Sequence, residues 1–540
     1  MLSKIGLYIR TVKHLSTAQI ISRLRRMINV STALPEFNGG NTIIHGSLER
    51  VAAVPELDFD SVFLSRFDCD EILSNKLTLL HYSEEVDWRD SWLEHHNTRL
   101  WSFNLHYQEY LLALLKKSIN CNKVEYVNKA FEIIRSWINN CPLSAKGDSW
   151  HPYTISVRST NWLAFISEGA EYITNNKPVV AIMDASLIEQ YKWLCSHLET
   201  DLLANHYFEN LKAIILLAVY FYDNDTLDKV LPLFEEQINI QILDDGMHFE
   251  LSPMYHKVVL EGLLRVIAAL QNIGRSNKNL ENTAKKMCDA LYSLEAGVNR
   301  TPLFNDGGDN VAKSRDALLA CCERLLNYRP AVCRDLKTAG YFFIERNCSV
   351  GEVKLIFDAG IPGPDYAPGH SHCDALSFEL YVNGEPIIVN LGTYAYQDNK
   401  RGFFRSSAAH NGVWREGVEQ SEMWGAHRMS RASYSRIIER TNGEHQTKLT
   451  AEMTDHRGGI ILRKISLNRN YLNISDEIIQ GKGALVSALH FPSKTGKPYA
   501  PDFGKIDSAT QLILESSSGK HSICIPLDAL VDGKLLITVS

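Results

Sequence analysis

Between about residues 88 and 330, apolar residues recur three and four apart, the spacing that gathers them on one face of a helix. The segments 104–115, 126–138, 160–172, 185–197, 205–222, 227–241, 255–272 and 279–296 all follow it. Short connections carrying Pro, Gly or Asp separate them, and no heptad register runs through them. The pattern predicts a succession of antiparallel helices, whether bundle, solenoid or closed toroid of helical hairpins. After Tyr341 β-branched and aromatic residues alternate with polar ones over 341–346, 353–357, 377–382, 387–390, 432–439, 446–453, 460–468, 471–478, 484–491 and 511–515. That period of two, broken by turn residues, predicts an all-antiparallel sandwich. The order is helices first and sheets second. Three segments follow: an N-terminal helix and irregular connection over 1–87, a helical domain over 88–335 and a sheet domain over 336–540.

The first segment opens with a basic amphipathic helix expected to about residue 35, where Arg23, Arg25 and Arg26 sit beside Ile20, Ile21, Leu24 and Met27. A docking helix with a solvated basic face explains it better than a membrane-surface helix. Over the whole chain of 540 residues, 56 Lys and Arg stand against 63 Asp and Glu, a net charge of -7. Nonspecific attraction to nucleic acid is therefore not expected, and an anionic substrate needs a local cluster. The eleven cysteines have no regular spacing, and Cys321 and Cys322 are adjacent, which argues against a disulfide framework. Residues 1–10 lack the apolar core and cleavage site of a secretory signal, and no run reaches the ~18 apolar residues of a membrane span. The expected compartment is the cytoplasm, or the periplasm if the start is trimmed.

Chemistry concentrates between Asp358 and Asn411. Residues 375–382 alternate and meet the turn Asn383-Gly384, so they read as one arm of a hairpin whose partner is 386–390. If the extended backbone already holds upstream, His370, His372 and Asp374 share one face. In the helical half, Asn205-His206 opens an apolar helix, with Asn205 a good N-cap. Residues 244–256 join a polar turn to a helix start, with Pro253 in its first turn. Arg158, Asn161 and Trp162, near Trp150-His151-Pro152-Tyr153, supply aromatics and a guanidinium suited to a sugar and carboxylate subsite. The polar loop 304–310 is rich in glycine but lacks the lysine of a phosphate loop.

Several of these pieces, in this order, resemble the heparinase II/III-like polysaccharide lyases, which include alginate lyases. They are Asn205-His206, Ser252-Pro253-Met254-Tyr255-His256, Gly369-His370-Ser371-His372-Cys373-Asp374, Gly392-Thr393-Tyr394 and Arg405-Ser406-Ser407-Ala408-Ala409-His410-Asn411. The resemblance implies an N-terminal incomplete (α/α) toroid, a C-terminal antiparallel β-sandwich and a cleft between them. It implies β-elimination on a uronic-acid polysaccharide, in a setting such as capsule or exopolysaccharide metabolism. Asn205 and His206 would stabilise the substrate carboxylate, and Tyr255 and His370 would be the acid and base. If proton and leaving group lie on one side of the ring, Tyr255 serves as both; if on opposite sides, His370 is the base and Tyr255 the acid. Tyr107, Arg158, Asn161, Trp162, Glu250, His256 and Arg405 are the candidate substrate contacts. The resemblance also implies a structural zinc on His372 and His410, but the aspartate of that set is replaced by Asn390, whose neutral amide is a weak zinc ligand.

Two other classes fit the same residues. A glycoside hydrolase would pair Glu250 with Asp245 or Asp306, and a sugar-binding protein would need no acid or base at all.

Overall fold

In the computed structural model, residues 6–8, 10, 11, 13, 46–93, 98–145, 147–309, 311–532 and 536–540 are described. Most of the basic helix expected over 1–35, with Arg23, Arg25 and Arg26, lies outside them. The helical half contains α1 (Arg99–Tyr107), α2 (Tyr110–Cys121), α3 (Val124–Asn140), α4 (Pro152–Glu168), α5 (Lys177–Ser196), α6 (Ala204–Tyr220), α7 (Asn224–Gln241), α8 (Pro253–Asn272), α9 (Lys278–Glu295) and α10 (Arg315–Leu326). Nearly every residue of α6 and α8, and most of α4, is buried, whereas α3, α7 and α9 bury one face. A helix apolar all round belongs inside and a one-sided helix outside. α6 packs on α4, α7 and α8, while α8 packs on α9 and α10. Inner and outer helices thus alternate along the chain, the two-layered arrangement of an (α/α) toroid.

The inner helices also carry buried polar residues, among them Ser156, Arg158, Asn161, Asn205, Glu209, Asn210 and Lys212. Residues 46–93 close the ring. Short helices at Pro55–Asp58, Ser61–Leu64 and Cys69–Leu73 and a hairpin of β1 (Lys76–Leu79) with β2 (Tyr82–Glu85) place Leu57, Phe63, Ile72 and Leu77 in the same core as the helices. Asp58 meets Arg265 of α8 at 2.7 Å. Periodicity did not reveal these pieces because each is too short to repeat.

Among the described residues, one six-stranded, two four-stranded and one two-stranded antiparallel sheet make the second half. One four-stranded sheet runs β3 (Tyr341–Cys348), β4 (Gly351–Asp358), β5 (Phe378–Val382) and β6 (Glu385–Ile388) in that order. It explains why β5 is buried at every position. Phe342, Ile344, Leu355, Phe378 and Leu380 face the sandwich core, whereas Tyr341, Phe343, Ile356 and Tyr381 pack with Met247, Leu251, Ala290 and Leu294 of the helical half. Alternate residues of one sheet therefore join the two halves. Lys354 adds two hydrogen bonds of 2.7 Å to the carbonyls of Ser293 and Ala296, at the C-terminal end of α9.

The expected hairpin is present, with the turn Asn383-Gly384 at φ 51° and 85°, but β5 begins only at Phe378. His370 ends a short turn, Pro368–His370, and residues 371–377 are irregular. His370, His372 and Asp374 therefore do not share a strand face. The reason is that they wrap around the loop 303–307 and bond to it instead.

Candidate active site

A cleft of ≈ 1070 Å³ lies between the halves. Tyr107, Tyr153, Asn205, His206, Glu250 and Tyr255 line it from the helical side, and Tyr366, His370, Tyr394, Tyr396 and His427 from the sheet side. The rings of Tyr255 and His370 lie 4.1 Å apart, centre to centre.

One buried carboxylate and one hydroxyl set that contact. The Ser252 hydroxyl caps α8, accepting from the Tyr255 N–H at 3.1 Å, and donates to the Asp306 carbonyl at 2.5 Å. The Asp306 N–H donates to the His370 carbonyl at 3.0 Å, and the Asp306 carboxylate accepts from His370 Nδ1 at 2.9 Å. Asp306 also receives His372 Nε2 at 2.9 Å, Arg401 Nη2 at 2.8 Å with Nη1 on its other oxygen, and Thr393 Oγ1 at 3.1 Å. Burial alone would push this carboxyl up, but Arg401 and the two imidazoles outweigh it and hold it well below the usual carboxylate range. An ionised carboxylate only accepts, so the His370 nitrogen facing it, Nδ1, bears a proton, and in the neutral imidazole the lone pair lies on Nε2. Around the loop the backbone is strained. Leu251, Asn305 and Leu376 have φ of 57°, 55° and 59°, held by bonds from Asn305 Nδ2 to the Leu251 carbonyl and from Asn305 N–H to Asp374.

Tyr255 also hydrogen-bonds hydroxyl to hydroxyl with Tyr396 at 2.5 Å. Burial, with Tyr396 adding to it, keeps the Tyr255 phenol well above its ordinary range and so proton-bearing.

On the helical side, Leu203 and Ala204 adopt φ of 59° and 47° just before Asn205. Leu203, not Asn205, occupies the N-cap position of α6, so Asn205 is free of the capping role expected for it. Its Nδ2 donates to the Tyr153 hydroxyl at 3.3 Å and its Oδ1 is buried without a hydrogen-bond partner. His206 Nδ1 meets Glu199 at 3.0 Å. Burial disfavours the His206 imidazolium, but Glu199 outweighs it and the net direction is up. Glu250 lines the cleft with Oε2 buried and without a hydrogen-bond partner, and burial pushes its carboxyl up.

Five expected substrate contacts, Arg158, Asn161, Trp162, His256 and Arg405, do not line this cleft. Arg158 is fully buried over the Trp137 ring at 3.8 Å and donates to Gln190 and the Ser149 carbonyl, both at 3.0 Å. Trp162 donates to Gln108 at 2.7 Å inside the core. His256 is held between the Met287 carbonyl and the His248 N–H. Arg405 donates to the carbonyls of Ser371, Gly425 and Ala426. Each satisfies the backbone or packs a helix, the ordinary use of a buried polar side chain. Asn161, which donates to the Tyr107 carbonyl at 2.9 Å, borders a smaller cavity of ≈ 140 Å³ that also touches Tyr255.

A family model for the heparinase II/III N-terminus matches residues 61–330, and one for the heparinase II/III-like C-terminal domain matches 329–523. The chain belongs to the heparinase II/III family. A protein described as a heparin-sulfate lyase from Pedobacter heparinus is 21% identical over 370 residues, which cover 61% of this chain and 54% of that protein. The match thus spans about half the length of that curated relative. A crystal structure of heparinase III shares the fold with a TM-score of 0.64 at 15% identity, over 93% of this chain and 88% of that one. The heparan sulfate lyase HepC of Pedobacter heparinus gives 0.55 at 16%, over 89% and 86%.

The zinc implied by the family resemblance can be tested against the donors present. With the His372 proton on Nε2, facing Asp306, its Nδ1 accepts from His410 Nε2 at 3.2 Å. Burial pushes His372 down to about 4, so it stays neutral. Asn390 Oδ1 is taken by the Asn411 N–H at 3.1 Å, and its Nδ2 is a donor. Two mutually bonded imidazoles and an amide already accepting a backbone bond do not fit a zinc donor set.

Proposed function

We propose that this heparinase II/III family protein is a polysaccharide lyase that cleaves a uronate-containing polymer by β-elimination. The contact between Tyr255 and His370 across the two halves, in the cleft that also holds Asn205 and His206, carries the reading. The C5 proton is weakly acidic because the charge left behind has only the adjacent carboxylate to receive it. Hydrogen-bond donors aimed at that group lower the barrier, and Asn205 Nδ2 with His206 is the pair suited to it. Two rings in contact meet the sugar from the same side, so the elimination is syn: His370 Nε2, with Nδ1 tied to Asp306, takes the C5 proton, and Tyr255, which burial keeps protonated, gives its own to the departing O4. The C4–O4 bond breaks, a C4–C5 double bond forms, and no water is consumed. Tyr396, bonded to the Tyr255 hydroxyl, orients that proton.

The hydrolase alternative loses its second carboxylate. Asp245 accepts from the N–H groups of Met247, Thr338 and Ala339, and Asp306 is enclosed by Arg401, His370 and His372. Incubating the protein with a panel of acidic polysaccharides tests the proposal. New ultraviolet absorbance from an unsaturated uronate is expected; new reducing ends without it would favour hydrolysis.

A further inference from the structure

We infer, on the basis of the lyase reading above, that the polymer carries its charge on isolated uronates and presents unsulfated, otherwise neutral sugars to the subsites on both sides. The first ground is how the aromatic rings are arranged. On the helical side, the ring centres run from His206 to Tyr153 at 4.6 Å, on to Tyr107 at 6.0 Å and to Phe103 at 6.3 Å. Crossing to the sheet side, they run from Tyr255 of α8 to His370 at 4.1 Å, to Tyr396 at 5.9 Å and to His427 at 5.3 Å. Rings of this kind cover the C–H faces of pyranoses, and an apolar wall with few polar groups orients a neutral sugar.

The second ground is charge. Three carboxylates, Asp201, Glu250 and Asp398, line the cleft, and among the described residues the lining guanidiniums are Arg99 and Arg428. Arg99 donates to Asp148 at 3.1 and 3.0 Å and lies over Phe103. Arg428 lies over Trp424 at 4.6 Å and Tyr8 at 5.5 Å. Even with Glu250 uncharged, Asp201 and Asp398 match the two guanidiniums. Arg401 and Arg405, nearer the scissile position, are committed to Asp306 and to backbone carbonyls. Among the described residues, the positive end left facing the cleft is the N-terminus of α6, beside His206, whose charge Glu199 already partners at 3.0 Å. That locus suits one carboxylate per binding frame. A sulfate ester on a neighbouring sugar would be desolvated beside Asp201 or Asp398 with no bidentate partner.

Heparosan against heparan sulfate, and unsulfated chondroitin against chondroitin sulfate, isolate the sulfate because each pair shares a backbone. Exopolysaccharides with one uronate per repeat complete the panel. Initial rates of the wild-type chain are read by absorbance, and affinities of the Tyr255→Phe chain by calorimetry. Unsulfated members are expected to be favoured by at least ~10-fold in rate or affinity. A smaller or reversed preference overturns the inference and leaves the lyase reading standing. Absence of both turnover and binding for every polymer overturns the lyase reading beneath it.

Discussion

The two walls of the cleft hold their reactive groups by different means. On the helical wall, Asn205, His206 and Tyr255 sit in the first turns of α6 and α8, and the helices themselves fix their direction. On the sheet wall, His370 and Tyr396 lie outside regular strands, and a single buried carboxylate, Asp306, gathers His370, His372, Arg401 and Thr393. The helical wall supplies position through backbone geometry. The sheet wall supplies it through charge, so its geometry depends on one residue and should fail as a unit.

Asp306→Ala should produce the largest effect. It leaves Arg401 buried and unpaired, at a cost of about 3–5 kcal/mol, and frees His370, so both thermal stability and turnover should collapse. Normal melting with normal turnover would erase the contrast between the walls. Tyr255→Phe is the helical counterpart and should separate the two quantities, lowering kcat by roughly 10²–10⁴ with an unchanged melting temperature. A large drop in melting temperature would make Tyr255 structural. Ser252→Ala cuts the hydroxyl that joins the walls, and a loss of about 1 kcal/mol of stability with a fall in kcat larger than any rise in KM is expected. Wild-type kcat would mean that the Tyr255–His370 contact is set elsewhere.

Glu199 favours the charged form of His206, which is present below its raised pKa and lost as pH rises through it. Activity should therefore fall on the alkaline side as His206 loses its charge, and Glu199→Gln should move that limb to lower pH. A limb that stays in place would assign it to another group. Smallest of all is the effect of a chelator. Because Asn390 brings no anionic ligand and its Oδ1 already accepts the Asn411 N–H, melting temperature and rate should not change, and elemental analysis showing stoichiometric zinc would contradict that expectation.

The same contrast separates what the sequence revealed from what it hid. Tyr255 follows Ser252-Pro253, a helix-start signature, and the periodicity after it is strong. The succession of helices, the hairpin around Asn383-Gly384 and the order of the two halves rest on repeated local signals of this kind. Asp306 had no such signal: in a loop rich in glycine it looked like a weak motif, and its role arises from residues 64 to 95 positions away. Tyr396, Arg401 and Glu199 give no sequence signal for the same reason: none belongs to a periodic segment, and Tyr396 and Arg401 act through bonds to residues 141 and 95 positions away. Arg158 and Trp162 misled in the opposite sense. A guanidinium among aromatic rings has the chemistry of a sugar subsite, but only packing decides whether it faces solvent, and here the inner helices enclose it.

Elimination across the Tyr255–His370 contact is tested most directly by digestion in water carrying heavy oxygen. Elimination takes no atom from water into the new chain ends, so mass spectrometry should find unsaturated, unlabelled products from the wild-type chain. Saturated products carrying the heavy oxygen would show that a glycosidic bond had been hydrolysed, and the proposed roles of Tyr255 and His370 would fall.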